Sequence, residues 1–484
     1  MKPRLEPFTR DELDMIHGAT VRVLETTGVR VLEPEAAGLL KEAGASGEDA
    51  TSLVRIPEPV LKESISSTPR RFKLFGRGPK HVLSFGEGQT YLSSLGTAVG
   101  VEDLEGDFRP ANLRDVENFY RITDALPYID HSSWVVWPRD VPEEVAHVYE
   151  ILLGFRHNTK SMDGYNLGKE RALQTIDMGA IVAGGRDELV ARPMLLGFAN
   201  PVSPLMLNRE TTEGLLVFAK YGQPTTIPPE CMAGGTSPAT LAGLLVQQNA
   251  EVLISVAIAQ LARRGAPVFY GSASTVMDMR TGAVALGAPE AGLVMAGTAQ
   301  LARYYGIPSR GTGGNTDSLT ADYQAGVETL STLLLAALAG FDFIYDAVGS
   351  IESSLSASYV KLLLDHEVCG EVKRIASGID VSDDTLALDA IQAVGPGGAF
   401  LGQPHTLRHF RKEQYAPSLF RRAPRTAEGH SEKSLWGKAR TRCEEILSEH
   451  VVDPPLDPDV DATLREYVKN VCKHYSVPAP AIPA

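Results

Sequence analysis

The chain is poor in the features that assign proteins to several large function classes. Cysteine is scarce: Cys231, Cys369, Cys443 and Cys472 are the four among 484 residues. No two of them stand at a CxxC spacing, which excludes a disulfide scaffold and fits a reducing compartment. Basic charge is in deficit, with 46 Lys and Arg against 60 Asp and Glu and a net charge of −14. Nucleic acid is thereby excluded as the main partner, because phosphate binding needs a basic footprint. The acidity is dispersed along the chain and serves solubility. Long apolar runs are also lacking. The stretch from Leu333 to Gly340 is far too short to span a bilayer, and Met1-Lys-Pro-Arg-Leu-Glu-Pro has no apolar signal-peptide core. The expectation is a cytoplasmic protein with neither membrane nor nucleic acid as partner.

What the chain does contain is a repeated architecture. Its hydrophobic fraction of 43% is ample for a large core. From Pro193 to Gly349 a short apolar run repeatedly ends in a polar, Gly-rich loop and is followed by an Ala/Leu-rich stretch with helical spacing. Thr225-Thr-Ile, Val268-Phe-Tyr, Ile307-Pro-Ser-Arg and Phe343-Ile-Tyr begin four such units. Strand–loop–helix repetition predicts a parallel sheet whose loops share one face. The alternation starts earlier, with a helix over Asn112 to Ala125, a strand at Ser132-Ser-Trp-Val-Val-Trp, a helix over Pro142 to Arg156, a strand end at Lys160-Ser-Met-Asp-Gly-Tyr, a helix over Lys169 to Ala183 and a strand at Pro193-Met-Leu-Leu-Gly-Phe. Seven strands are readable. An eighth, from Thr90–Leu95 or from the region near Ile391, would complete an α/β TIM barrel of type (β/α)8.

The flanks differ from this pattern. Thr9 to Ala45 reads as largely helical with a break at Gly28, Val54 to Ser66 as a further helix, and Arg71 to Gly106 as glycine-separated strands. Three parts are predicted: an N-terminal helical and β-hairpin extension over 1–110, the catalytic barrel over 111–395, and an irregular C-terminal extension over 396–484. In the last part, 421–442 is charged and helix-poor at first, Asp461 to His474 is a short helix, and Val477-Pro-Ala-Pro-Ala-Ile-Pro-Ala reads as a loosely held tail.

In a TIM barrel the loops after the strands build the site. That rule selects Trp134, Trp137, Tyr165, Asn166, Asn200, Glu230, Cys231, Tyr270, Ser272, Ser274, Arg310, Asn315, Asp317, Tyr345, Asp346 and Glu352. The set is rich in aromatics, amides and carboxylates, contains no histidine, and has Arg310 as its strong cation. Aromatic faces beside carboxylates suit a cation, above all a quaternary ammonium that cannot donate hydrogen bonds. The same aromatics also suit ordinary rim packing. Zinc would need three or four ligands, and no such set is visible, so no metal is expected. His366 and Cys369 read as a structural pair. His405 and His409 lie four apart and could share a helix face, outside the barrel pattern, and read as a buried hydrogen-bonded histidine or a partner-docking surface rather than a metal site. Gly311-Thr-Gly-Gly-Asn-Thr lacks the Lys-Ser/Thr ending of a P-loop and reads as a turn. Cys231 reads as a small pocket residue.

Three longer stretches carry a resemblance: Pro289-Glu-Ala-Gly-Leu-Val-Met-Ala-Gly-Thr-Ala-Gln-Leu-Ala-Arg-Tyr-Tyr-Gly-Ile-Pro; Thr316-Asp-Ser with Gln324-Ala-Gly; and Gly395-Pro-Gly-Gly-Ala-Phe-Leu-Gly-Gln-Pro-His-Thr-Leu-Arg-His-Phe-Arg. From Leu24 to Tyr415 the chain resembles the trimethylamine methyltransferase family, in its large branch without pyrrolysine, the glycine betaine methyltransferase-like corrinoid-dependent enzymes. The resemblance implies a TIM barrel that transfers a methyl group from an amine to the cob(I)alamin of a separate corrinoid protein, in one-carbon metabolism akin to methanogenesis. It implies that this chain binds no cofactor tightly, that the partner supplies the cobalamin, and that the chain forms a homo-oligomer. The position matching pyrrolysine falls in or near Thr312 to Asp317. Its absence favours a quaternary amine of the betaine or carnitine type. Under this reading Trp134, Tyr165, Tyr270 and Tyr345 form an aromatic box. Glu230, Asp317 and Glu352 are the catalytic carboxylates that balance the cation, and Asn200, Asn315 and Arg310 bind a substrate carboxylate. A barrel lyase acting on a small acid and a non-catalytic quaternary-amine binder remain as alternatives.

Overall fold

The computed structural model describes residues 3–422 and 434–482. Eight short strands pair in parallel. Numbering the barrel elements alone, they are β1 (Tyr91–Leu92), β2 (His131–Ser132), β3 (Ser161–Asp163), β4 (Leu195–Phe198), β5 (Thr225–Ile227), β6 (Val268–Gly271), β7 (Ser309–Thr312) and β8 (Phe343–Tyr345). The sheet closes on itself, because Phe343 of β8 lies opposite Tyr91 of β1 and Ser93 just after β1 bridges to His131 of β2. The missing eighth strand is therefore the first in the chain, and it lies within the 1–110 segment. A helix follows each strand: α1 (Leu113–Ala125), α2 (Glu143–His157), α3 (Lys169–Ala183), α4 (Arg209–Lys220), α5 (Leu241–Ala262), α6 (Pro289–Tyr305), α7 (Tyr323–Ala339) and α8 (Tyr359–Ser377). Local signals set their ends. Asn112 and Asp115 form a capping box at the start of α1, and Gly306 and Gly340 end α6 and α7 in the left-handed conformation.

Strand side chains alternate between the barrel interior and the helix layer. Phe269 and Phe343 point inward and join Leu196, Leu74, Leu83 and Phe85 in one apolar cluster, whereas Tyr270 and Ile344 belong to the outer core. Leu74, Leu83 and Phe85 come from a β-hairpin (Phe72–Phe75 with Val82–Phe85) that stops the N-terminal end of the barrel. The Phe85 ring meets Phe269 edge-on at 4.7 Å and Phe343 at 5.8 Å. The barrel is thus closed at the bottom, leaving the C-terminal ends of the strands as its accessible end.

The N-terminal helix Arg10–Arg22 runs on to Thr27 and stops at Gly28 as the sequence suggests. The next elements differ. Val29–Val31 and Leu53–Arg55 are strands of a small sheet completed by Ser46–Glu48 and Met206–Leu207, and the following helix begins at Glu58, after Pro57 ends the extended run. This layer packs on α5. Helix α5 is rich in Ala, Leu, Ile and Val and buried on nearly all sides, with Gln248, Asn249 and Glu251 hydrogen-bonded inside, hence its fit between barrel and outer layer. It is the one described helix long and apolar enough to cross a membrane, and 72% of its apolar window is buried inside the protein. At the C-terminus, Leu435–Glu449 packs on α8 and α1, and Pro458–His474 on α2 and α3. The tail is docked rather than loose through residue 482: the Tyr149 hydroxyl donates to the Pro480 carbonyl at 3.0 Å, and Val477 and Ile482 pack against the core. The expected helix-poor stretch 421–442 lies outside the described residues over 423–433.

The plug generates a stability prediction. Phe85→Ala removes the ring that joins hairpin to barrel and should cost about 3–5 kcal/mol in chemical denaturation. A loss below about 1 kcal/mol would mean that the hairpin does not brace the barrel.

Candidate functional site

Strand β7 places Arg310 inward at the centre of the barrel, where its side chain is 1% exposed. The guanidinium lies over the Tyr345 ring at 4.4 Å and the Phe198 ring at 4.8 Å, and Nη1 donates to the Ser272 carbonyl at 3.0 Å. Nε has no partner. Burial lowers the Arg310 pKa, while Asp346, Tyr345, Glu230 and Asp163 oppose that shift. A guanidinium stays charged in any protein, so the centre of the site holds a fixed cation with carboxylates around it. The Tyr345 hydroxyl donates to Asp163 Oδ2. Asp163 Oδ1 lies 3.0 Å from His131 Nε2, and His131 Nδ1 lies 2.9 Å from Ser161 Oγ. Burial raises the Tyr345 pKa well above the usual phenol value, so it remains a donor. This chain of bonds fixes the ring on which Arg310 rests.

Around this centre lies a cavity of about 1240 Å³ at the C-terminal ends of the strands. Six carboxylates line it, from Asp163, Glu210, Glu230, Asp317, Asp346 and Glu352, against the single guanidinium of Arg310. Glu230 follows β5 and reaches into the cavity, where Asn200 Nδ2 donates to its Oε1 at 2.5 Å. The surrounding protein desolvates its carboxyl and raises its pKa, against the pull of Arg310. Asp346 ends β8 with a positive φ of 61°, an uncommon conformation for a side-chain-bearing residue. It accepts from the Gly96 amide at 3.3 Å, and burial raises its pKa as well. Gly314 lets this turn form. A Cβ there would lie 2.7 Å from the carbonyl oxygens of Asp346 and Ala347. Asp317 and Glu352 stand at the rim and brace loops. Asp317 Oδ1 accepts from the Gly287 amide at 3.1 Å and from Ser353 Oγ at 2.8 Å, and Glu352 Oε2 accepts from Ser356 Oγ at 2.7 Å.

One wall is aromatic. Trp134 stacks on Tyr165 with centroids 5.4 Å apart and planes 13° from parallel, and Trp137 lies 5.7 Å from Tyr165 and 6.0 Å from Trp134. Arg171 donates to the Tyr165 hydroxyl at 3.2 Å and fixes that ring. His147 packs behind it at 5.2 Å, and burial pushes the His147 pKa down to about 4, so it adds no positive charge.

Of the residues singled out from the sequence, Trp134, Tyr165, Asn200, Glu230, Arg310, Asp317, Tyr345 and Glu352 meet at this cavity. Tyr270 does not. Strand alternation sends Phe269 inward and Tyr270 outward, where its hydroxyl donates to Asn249 at 2.8 Å and its ring stacks on Tyr305. Asn315 is also outside the cavity. It is buried behind Asp346, whose pKa it lowers through a side-chain hydrogen bond, and it donates to Ser354 Oγ at 3.0 Å. Cys231 lies behind the wall rather than on it, 3.2 Å from Ser203 Oγ, with its pKa raised first by burial and then by Glu251. Sequence reasoning passed over Asp163 and Phe198 as site residues. Both sit at strand ends where the inward parity of a strand would have marked them. The His366–Cys369 pair is structural: His366 Nε2 accepts from the Tyr128 amide at 3.2 Å, and Cys369 points at the Ala347 carbonyl.

The raised carboxyls yield a pH prediction. Glu230 and Asp346 ionise above their ordinary values, so these two add their negative charge to the cavity only as pH rises through those raised values. A quaternary ammonium keeps its charge at every pH. Its affinity, measured by calorimetry, should therefore strengthen from the ordinary carboxylate range upward and then level off. An affinity that is flat or falling across that window would remove both carboxyls from the cation site.

A sequence model described as trimethylamine methyltransferase matches residues 1–474. The chain is 34% identical to the glycine betaine methyltransferase of Desulfitobacterium hafniense (strain Y51) over 468 residues, 96% of this chain and 97% of that protein. It is 35% identical to a trimethylamine methyltransferase of Desulfitobacterium hafniense (strain DSM 10664 / DCB-2) over 474 residues, 98% of this chain and 95% of that one. Among solved structures, the Methanosarcina barkeri monomethylamine methyltransferase aligns with a TM-score of 0.55 at 12% identity, covering 92% of this chain and 89% of that chain, which bears on the fold alone. By the match over residues 1–474 and these full-length likenesses, the chain belongs to the trimethylamine methyltransferase family.

Proposed function

We propose that this chain transfers a methyl group from a quaternary amine bearing a carboxylate, of the betaine type, to the cob(I)alamin of a partner corrinoid protein in the cytoplasm, releasing a tertiary amine. The observation that carries this reading is the pairing of charges in one cavity. An aromatic wall and an excess of carboxylates favour an ammonium, while the buried, fixed Arg310 with its free Nε offers a partner for a substrate carboxylate. The likeness to a glycine betaine methyltransferase over nearly the full chain supports the same donor class.

The chemistry asks little of the protein in acid or base. A quaternary nitrogen already carries its charge and leaves as a neutral amine when the C–N electron pair returns to it, so no proton must be supplied. The corrinoid, when docked, contributes a strongly nucleophilic cobalt that accepts the methyl carbon. This chain's residues position the donor. Trp134, Trp137 and Tyr165 present faces to the N-methyl groups, Glu230 and Asp346 stabilise the charge, Arg310 with Asn200 orients the carboxylate, and the plugged barrel floor prevents retreat of the substrate. Asp317 and Glu352 hold the rim loops in place and add negative potential at the mouth.

The size of the mouth is consistent with a macromolecular donor of the cofactor. The cavity exceeds the roughly 300–1,000 Å³ usual for small ligands, and its rim carries exposed aliphatic side chains, with Leu319 at 72%, Leu355 at 58% and Val284 at 42% exposure. Such a rim is the surface expected where a partner docks.

Two measurements test the proposal. Purified protein mixed with cob(I)alamin and a panel of quaternary amines should discharge the cob(I)alamin spectrum with a carboxylate-bearing donor and leave it unchanged with trimethylamine. Tight binding of one amine with no methyl transfer would instead make the chain a binding protein. Glu230→Gln should weaken binding of the active amine by roughly tenfold, equivalent to ~1.4 kcal/mol. An unchanged dissociation constant in that variant would show that its carboxylate does not meet the ammonium.

A further inference from the structure

Beyond α8, residues 379–413 form an arm with little packing of its own. Its helices Asp383–Leu386, Leu388–Val394 and Pro404–Glu413 contain no buried residue. The arm is anchored near both ends: Arg374 Nη1 donates to the Gly378 carbonyl at 2.9 Å and its Nε to the Glu413 carbonyl at 2.8 Å, and the Tyr415 hydroxyl donates to Glu367 Oε1 at 2.7 Å. Between those anchors, the contacts joining its two halves converge on Asp384. His405 Nε2 lies 3.0 Å from the Asp384 carbonyl, His409 Nε2 lies 3.0 Å from Asp384 Oδ2, and Arg408 approaches Oδ1 at 3.7 Å. A looser pair, Lys412 with Asp380 at 4.0 Å, lies beside them.

An ordinary surface ion pair explains this cluster poorly. The His405 and His409 rings stack with centroids 4.3 Å apart, so both rings face the same side of the arm as Asp384. His409 Nε2 is near the carboxylate but not aligned with it as a hydrogen bond, and it is left buried without a hydrogen-bond partner. Atoms that converge without bonding one another suit a shared third body. Among the described residues, Asp384, His405 and His409 form the one group whose ligand atoms could hold a metal, all within 4.8 Å of one another. Two histidines at i and i+4 on one helix face are a geometry that binds zinc, and a carboxylate completes a three-ligand set with an open fourth position. Small side-chain rotations would bring the three atoms to the zinc-ligand distance of about 2.0–2.2 Å. The sequence pattern did not mark His405 and His409 as metal ligands; the fold brings Asp384, 21 residues upstream of His405, to them.

We propose that Asp384, His405 and His409 bind one zinc ion, which ties the two halves of the arm together in place of a hydrophobic core. Imidazole and carboxylate donors in a four-coordinate arrangement select zinc over calcium or magnesium, which prefer oxygen ligands throughout.

The test uses the untagged full chain, stripped with chelator and titrated with Co²⁺ as a spectroscopic stand-in and with Zn²⁺. The proposal expects one equivalent per chain, the visible absorption of a four-coordinate cobalt ion, and displacement by Zn²⁺. His409→Ala and Asp384→Asn should each weaken binding by roughly 100-fold or more while the far-ultraviolet circular dichroism stays unchanged. Limited proteolysis should cut the arm faster in the stripped protein than in the zinc-loaded one. No binding at micromolar metal, or equal affinity in wild type and both variants, would overturn it.

Discussion

Arg310 is buried at the centre of the barrel between the faces of Tyr345 and Phe198, on the lining of the cavity. Everything near it answers that charge. Tyr345 is pinned through Asp163 and His131, so its ring cannot turn away. Glu230 and Asp346 lie close enough for their coulombic pull to oppose the desolvation of the guanidinium. Removing any one of these partners would leave a buried ion undercompensated, which is among the costliest defects a core can carry. The cavity thus presents one guanidinium, flanked by carboxylates, together with an aromatic wall. A zwitterion satisfies both.

The architecture protects this division. The β-hairpin plug seals one end of the barrel with edge-to-face aromatic contacts, so a substrate has access from the loop face only. At that face Asp317 and Glu352 link the loops after β6, β7 and β8 through Gly287, Ser353 and Ser356. The outer layers are supported separately. The N-terminal helices cover α5, and the C-terminal helices cover α1, α2, α3 and α8. The arm at 379–413 is the exception to this layered burial, and the histidine–aspartate cluster is where its two halves meet.

Much of the fold was legible in the sequence because periodicity reports burial directly. The Gly-rich loops after apolar runs located the strand ends, and α3 begins and ends where its pattern does. The first strand was hard to see because two residues of β1 are too few to show alternation, and their partners in β8, Phe343 and Ile344, lie at the far end of the barrel sequence. The site was legible as a set of loops but not as a set of directions. Tyr270 and Phe269 are neighbours of similar chemistry, and strand parity, which the sequence did not reveal there, sends one to the barrel interior and the other to the helix layer. Asn315 and Asp346 both follow strands, and only the fold shows that Asp346 lines the cavity while Asn315 does not. Asp384 lies 21 residues from His405, and no local pattern connects them.

A crystal structure of the protein with glycine betaine bound would test the central claim most directly. The account predicts the trimethylammonium group against Trp134, Trp137 and Tyr165 with Glu230 nearby, and the carboxylate directed at Arg310. A ligand bound in the opposite sense, with its carboxylate among the acids, or bound outside the barrel mouth, would contradict it.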